Sequence, residues 1–161
     1  MHTNQLKMIM MASALALILA ACSTTPPTPM PGAGEGTTVT SADQITGVVW
    51  EWTGLLETSP AAQSAVPNPE NYTLVFQDSG VFNIQSDCNS AAGTYSLEKE
   101  SLIMVLGPST KAFCGDDSLD TEYQLLINKV AQGTISPDGQ LWLYLKANAG
   151  RMEFSNGGAP K

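Results

Sequence analysis

Three cysteines are the residues of this chain best suited to chemistry. Cys88 stands in "QSDCNSAAGTY" just past a strand-like run, Cys114 follows in "LGPSTKAFC", and Cys22 ends an apolar run near the N-terminus. A cysteine can act as a nucleophile, a metal ligand, a redox thiol or half of a disulfide. Each of these roles predicts a different protein, so the residues around the cysteines must decide between them.

The sequence favours neither a catalytic nucleophile nor a metal site. The single histidine is His2, so the rest of the chain has no base for a Ser-His-Asp triad or a Cys-His pair. Two cysteines without a C-x-x-C spacing do not supply the four ligands of a zinc site. The acids of "CGDDSLDTE" lack the spacing of a calcium loop, and helix capping explains them. We therefore predict no catalytic residue, no metal and no cofactor.

The N-terminus predicts an export signal that ends before Cys22. Lys7 precedes an apolar run over 8–21, which as a helix is too short for the roughly 30 Å hydrocarbon core of a bilayer. The run ends in "LAAC", which resembles the lipobox of bacterial lipoproteins, in which the signal is removed and the cysteine is acylated. Several acyl chains hold a protein firmly at a membrane surface. We expect residues 1–21 to be a signal peptide and Cys22 to be a lipid anchor.

The residue after Cys22 indicates which membrane the anchor would occupy. Ser23 stands there, where an aspartate retains lipoproteins in the inner membrane of some bacteria. The lipobox resemblance therefore implies the outer membrane, facing the periplasm, if the organism is Gram-negative. Otherwise it implies the extracytoplasmic face of the cell membrane.

Composition divides the remaining chain into a tether, a domain and a tail. Residues 22–44 are rich in Pro, Thr and Gly and bury too little apolar surface to fold, which predicts a flexible tether. Residues 45–156 suffice for one domain with one core, and 157–161 form a short tail. Without Lys7 the mature chain has six basic and fifteen acidic side chains, a formal net charge of −9. Nucleic acid binding needs clustered Lys and Arg, so the charge argues against it.

Hydrophobic periodicity predicts a mainly β fold. Apolar residues alternate with polar ones in seven short segments, namely 48–53, 72–76, 81–88, 93–97, 101–106, 141–146 and 151–155. One segment, 118–131, has helical spacing instead, with acids in its first turn and Gly133 after it. The pattern predicts an antiparallel sandwich or closed barrel of seven or eight short strands. One amphipathic helix would close an open end or cover one side.

The strand "LWLYL" is apolar on both faces, which a half-exposed strand should not be. If its leucines face the core, Trp142 and Tyr144 point outward. Either the helix or the 54–69 segment covers these two side chains, or they form an exposed patch that meets a partner or ligand. The sequence leaves both possibilities open.

Two roles remain for the other two cysteines. Once Cys22 is lipidated, Cys88 and Cys114 are an even pair outside the reducing cytosol, and such a pair most simply forms a disulfide. Closing a loop of this length stabilises by roughly 3.5 kcal/mol in the chain-entropy model. The competing reading is two free thiols in a redox role.

The order of these segments resembles the META domain, the HslJ-like family of bacterial envelope proteins. The shared residues are Trp50, Phe76, Gly80, Cys88, Asn89, Gly93, Tyr95, Thr110 and Cys114. The resemblance covers 45–156, and its most specific element is Cys-Asn-x-x-x-Gly followed by Thr-x-x-x-Cys. It implies a small antiparallel β-barrel with one helix, no established catalytic activity, and links to heat-shock, envelope-stress, drug-tolerance or motility functions. The Ala-, Ser- and Pro-rich segment 54–69 is where a partner site would differ from relatives.

The sequence leaves three functions open. The leading one is a non-enzymatic lipoprotein that supports the cell envelope by binding or structural contact, with a role in stress tolerance. The alternative is a barrel that binds a small ligand or inhibits a protein, through Trp142 and Tyr144 or a cavity lined by Trp50 and Trp52. The third is a periplasmic thiol redox protein. The expected partners are the membrane, through Cys22, and an unknown envelope protein or small ligand.

Overall fold

A computed structural model describes residues 36–161 of the chain. The predicted signal peptide, the anchor Cys22 and most of the predicted tether lie outside the described residues. The described elements are β1 Thr37–Thr38, β2 Trp50–Thr58, β3 Ala61–Ala65, β4 Tyr72–Phe76, β5 Val81–Ser86, β6 Asn89–Glu98, β7 Ser101–Ser109, α1 Asp120–Ile127, β8 Val130–Ile135, β9 Leu141–Leu145 and β10 Gly150–Asn156. Within these residues no helix is long and apolar enough to span a bilayer.

The strands form one antiparallel sheet that curls into a half-barrel. Its order is β1-β8-β9-β10-β2-β4-β5-β6-β7, and β3 pairs with β2 next to the β4 pairing. The curl brings β7 close to β8. The Leu106 N–H of β7 also donates to Oδ1 of Asn128, which lies between α1 and β8, at 3.1 Å. The predicted fold class, mainly β and antiparallel with one helix, is confirmed.

The alternation seen in the sequence puts one face of each strand into a common core. The largest fully buried side chains include Trp52, Phe76, Phe82, Leu141, Leu143 and Phe154. The helix α1 contributes Tyr123, which stacks on Trp52 with ring centroids 5.2 Å apart and planes 25° apart. The helix therefore packs against the inside of the half-barrel through an aromatic contact.

The helix is shorter than predicted because its last apolar position belongs to a strand. Residues 118–131 have helical spacing, yet α1 ends at Ile127 and β8 begins at Val130. Val130 is fully buried, and it pairs with Leu145 of β9. One buried position thus fits both a helix and the inner face of a strand, and pairing with β9 decides for the strand.

The segment 54–69 is largely a hairpin, although its composition predicts a loop. β2 continues to Thr58, and β3 returns along it over Ala61–Ala65. Alanine and serine have low strand propensity, but the ladder with β2 outweighs it. With β1 and β8, the strands within residues 36–161 number ten where seven or eight were predicted.

The folded part also begins before the predicted boundary at residue 45. Thr37–Thr38 pairs with Ile135 and Thr134 of β8, and Val39 is fully buried. The β-branched run Thr-Thr-Val has high strand propensity, which the surrounding Pro and Gly composition conceals. The last part of the predicted tether, 37–44, therefore belongs to the domain.

Candidate functional site

The cysteine motif lies in the hairpin that joins β5 to β6. Asp87 and Cys88 form a two-residue connection between Ser86 and Asn89, which face each other in the ladder. Asp87 adopts a left-handed conformation with φ 56°, which Asp tolerates better than most residues. The sharp turn leaves Cys88 exposed at the end of the sheet.

A disulfide joins Cys88 to Cys114, as predicted. The two Cα atoms are 5.5 Å apart, within the usual range for a disulfide. Cys114 belongs to the segment 110–119, which has no helix or strand of its own. The disulfide thus ties this segment to the β5–β6 hairpin, and in the described part of the chain it leaves no free thiol for catalysis or metal binding.

Asn89 holds the same segment through both ends of its side-chain amide. It is 2% exposed. Its Oδ1 accepts hydrogen bonds from Ala112 N–H at 2.8 Å and from Thr110 Oγ1 at 2.9 Å, and its Nδ2 donates to Ala112 O at 2.9 Å. Thr110 Oγ1 also accepts from the Ser90 N–H at 2.9 Å. We call Asn89, Thr110 and the Cys88–Cys114 disulfide the loop clamp.

Two residues of the motif act away from the turn. Asn89 opens β6 with its side chain directed inward, so it bonds the distant segment 110–112 and not its own turn. Gly93 lies inside β6 and not in a turn. A Cβ there would collide with the Phe82 ring and the Val105 carbonyl oxygen, so close packing requires glycine.

A cleft of about 280 Å³ opens beside the disulfide. Its lining includes Tyr72, Pro67, Asn68 and the acids Asp87, Asp116 and Asp117. The Tyr72 hydroxyl accepts from the Leu119 N–H at 2.9 Å and lies 3.5 Å from Asp87 Oδ2. Among residues 36–161, no group of three Cys, His or acidic side chains is arranged to hold a metal.

A second surface lies on the outer face of β9 and β10. Trp142 and Tyr144 point outward there and are partly exposed. The guanidinium carbon of Arg151 lies 4.2 Å from the centre of the Trp142 ring, and Arg151 donates to Glu153 Oε1 from Nε at 2.9 Å and from Nη2 at 2.7 Å. We call these four residues the Trp142 surface.

Arg151 and Glu153 were not predicted as site residues. The signal was present, because in "RMEFS" these two residues alternate with buried Met152 and Phe154. The ladder places Arg151 opposite Tyr144 and Glu153 opposite Trp142. Alternation within β9 and β10, combined with the register between these two strands, would therefore have predicted that the four side chains of the Trp142 surface lie together.

The other two candidate tryptophans belong to the core. Trp50 is 3% exposed and Trp52 is 1% exposed. Their indole N–H groups donate to Ile45 O at 2.9 Å and to Gly54 O at 2.8 Å. Because both rings are buried and both N–H groups are satisfied, neither ring is accessible to a ligand from solvent.

A sequence model of the META domain matches residues 43–157, most of the chain. The chain belongs to the META domain family. No curated protein matches the chain in sequence.

Two solved structures share the fold of this META domain. One is the NMR structure of a protein from Burkholderia xenovorans, 18% identical, which covers 83% of this chain and 99% of its own with a TM-score of 0.61. The other is the crystal structure of a DUF4847 family protein from Bacteroides vulgatus, 9% identical, which covers 72% of this chain and 96% of its own with a TM-score of 0.54. At these identities the comparison shows the fold alone.

Proposed function

We propose that this META domain protein is a non-enzymatic lipoprotein of the cell envelope that binds another envelope molecule through the Trp142 surface. The observation that carries the proposal is the arrangement of Arg151 between the Trp142 ring and Glu153. It places two partly exposed aromatic rings on the outer face of the sheet and packs the planar Arg151 guanidinium against one of them. Trp, Tyr and Arg are the residues most enriched among binding hot spots.

Preorganisation supports binding at this surface. Arg151 is 8% exposed and is held by two hydrogen bonds to one carboxylate oxygen, so its side chain loses little rotamer freedom when a partner arrives. The pair with Glu153 also neutralises its charge. A partner with an apolar or aromatic patch and polar groups at the rim fits such a surface.

The disulfide and the N-terminal sequence support an extracytoplasmic location. Disulfides persist in oxidising compartments and are rare in the reducing cytosol. The "LAAC" run ending at Cys22 supplies the matching export and anchoring signal. On this proposal the protein is held by acyl chains on Cys22, facing the periplasm from the outer membrane in a Gram-negative cell.

The absence of histidine after His2 and the structural use of the loop clamp support a role without catalysis. In this view the protein supports stress tolerance of the envelope by contact, in line with the HslJ-like resemblance. A catalytic turnover that disappears in Asp87→Asn or Glu51→Gln would contradict it.

Metabolic labelling tests the anchor. Cells that express the full chain are fed an alkyne-bearing palmitate analogue, and the protein is examined for label and for membrane association. The wild type is expected to carry label and to sediment with membranes, whereas Cys22→Ala carries none and is released. Equal labelling of both proteins would contradict the proposed anchor.

Site-specific photo-crosslinking in intact cells tests the binding surface. A photoreactive residue replaces Gln132, which lies opposite Tyr144 on the outer face, or Thr94, which is exposed on β6 and does not belong to the Trp142 surface. We expect a discrete crosslinked product from position 132 that Trp142→Ser removes, and none from position 94. The same product from both positions, or a product unaffected by Trp142→Ser, would argue against the surface.

A further inference from the structure

β3 leaves one edge of its backbone without a strand partner. In the described part of the chain β3 pairs with β2 alone. Two hydrogen bonds fix the direction of the backbone groups. The Thr58 N–H donates to Ala149 O on the β10 side at 3.0 Å, and the Val66 N–H donates to Thr53 O across the β2–β3 ladder at 2.9 Å.

The groups on the outer edge of β3 follow from this pattern. Backbone groups point alternately to the two sides of an antiparallel strand. Ala62 and Ser64, like Val66, therefore face β2. The N–H and C=O groups of Ala61, Gln63 and Ala65 point away from it, toward the open edge.

The open edge carries none of the usual protection against pairing. All five residues of β3 are exposed, and the sequence Ala-Ala-Gln-Ser-Ala has no charge and no proline. Natural edge strands are commonly blocked by lysine, proline, a bulge or a covering element. The edge strand β7 differs in this respect because it approaches β8. The β3 edge is thus suited to accept a further strand.

The acidic side chains near β3 indicate which kind of partner strand its open edge would accept. The chain leaves β3 through Pro67 and Asn68, which line the cleft that also contains Asp87, Asp116 and Asp117. A second copy of this acidic protein would bring like charges together across the new pairing, which opposes association. A strand with lysine or arginine beyond its paired residues would instead place positive charge next to these acids.

We infer that β3 accepts an extended, positively charged segment of a partner protein as an additional strand of the sheet. The main-chain hydrogen bonds to Ala61, Gln63 and Ala65 provide affinity, and the acidic cleft selects for a cationic segment. The inference rests on the proposed binding role of the protein, but it uses a different surface from the Trp142 surface.

Selection from a random ten-residue peptide display library against the purified full chain tests the inference. We expect enriched peptides to alternate β-branched or aromatic residues with polar ones and to contain Lys or Arg. A synthetic copy of an enriched peptide is expected to bind Gln63→Pro at least tenfold more weakly than wild type. Proline removes an N–H that the monomer leaves unpaired, and edge strands tolerate it at such positions.

Two further variants separate the contributions. Gln63→Ala keeps the N–H and is expected to bind at least tenfold more tightly than Gln63→Pro. Asp116→Asn combined with Asp117→Asn leaves β3 unchanged and is expected to weaken binding of the cationic peptide severalfold at low salt, with a smaller loss at high salt. Unfolding midpoints verify that each variant is folded.

The remaining outcomes are decisive. Enrichment of acidic peptides, equal binding to Gln63→Ala and Gln63→Pro, or no enrichment over the bare support would overturn the inference. A concentration-dependent dimer that Gln63→Pro abolishes would assign the edge to a second copy instead. Trp142→Ser is expected to leave peptide binding unchanged, so failure of the Trp142 surface and failure of the β3 edge are distinguishable.

Discussion

At the scale of single residues, the side chains of the cysteine motif have structural roles. Asn89 is buried and uses both its donor and its acceptor on the segment 110–112. Gly93 gives room to the Phe82 ring. A motif that looks like an active site in the sequence is thus a device that positions a loop.

Asn89→Ala is expected to destabilise the protein by about 1–3 kcal/mol, because it removes the hydrogen bonds that the buried Asn89 side chain makes with Ala112 and Thr110. Asn83→Ala is the matched control, since Asn83 is exposed on the neighbouring β5, and it should change stability by about 0.5 kcal/mol or less. Urea unfolding measures both variants. Similar losses in the two would refute the clamp role of Asn89.

Gly93→Ala is expected to cost about 1–3 kcal/mol, because the new methyl group collides with a packed ring and a backbone carbonyl. Replacing Phe82 with leucine in the same chain should recover part of this loss, since it makes room beside the methyl group. Thermal or urea unfolding of the single and double variants checks this. A Gly93→Ala protein as stable as wild type would show that β6 does not need glycine here.

At the scale of elements, the disulfide and Asn89 hold one segment by two independent means. The disulfide acts mainly by limiting the unfolded chain, whereas the hydrogen bonds of Asn89 act in the folded state. The segment 110–112 should therefore keep its position when the disulfide is lost, although the protein becomes less stable.

Cys88→Ser combined with Cys114→Ser is expected to lower stability by roughly 3.5 kcal/mol while the backbone amide of Ala112 stays protected from hydrogen exchange. Adding Asn89→Ala to this variant should remove the protection. Native-state hydrogen exchange provides the measurement. Loss of protection in the cysteine variant alone would mean that Asn89 does not hold the segment.

Tyr123 of helix α1 is expected to make the stability of the protein depend on pH in the alkaline range. Burial raises the pKa of Tyr123 well above the usual 10.0, and in the described part of the chain its hydroxyl has no hydrogen-bond partner. Below pH 10 the phenol is neutral in both states. Above pH 10 the unfolded chain releases a proton that the folded protein retains, so stability falls as the pH rises toward the folded pKa.

Tyr123→Phe is therefore expected to be nearly as stable as wild type at pH 7 and to lose less stability between pH 10 and 11, by up to about 1.4 kcal/mol. Tyr95, whose pKa is also raised by desolvation and by Asp78, remains in both proteins and cancels in the comparison. Urea unfolding at a series of pH values gives the curves. Parallel curves above pH 10 would contradict the burial of an ionisable Tyr123.

At the scale of the whole molecule, the sequence was sufficient for the features that depend on local pattern. Alternation located the central strands, helical spacing located α1, and the pairing of Cys88 with Cys114 located the disulfide. The sequence was insufficient where pairing with a strand distant in the chain determines the local structure. The residues of β3 favour a loop by composition, and Val130 fits two periodicities, so only the ladders with β2 and β9 determine their structure. The contact of Arg151 with Trp142 likewise depends on strand register.

The central claim is that the envelope partner crosslinked from position 132 binds through the outer Trp142 surface, independently of the cleft beside the disulfide. The most direct measurement is the yield of the photo-crosslinked product from position 132 in intact cells, compared among wild type, Trp142→Ser and Asp87→Asn. We expect Trp142→Ser to reduce the yield at least tenfold and Asp87→Asn to leave it within about threefold of wild type. A yield that depends on Asp87 and not on Trp142 would contradict the claim and assign function to the cleft.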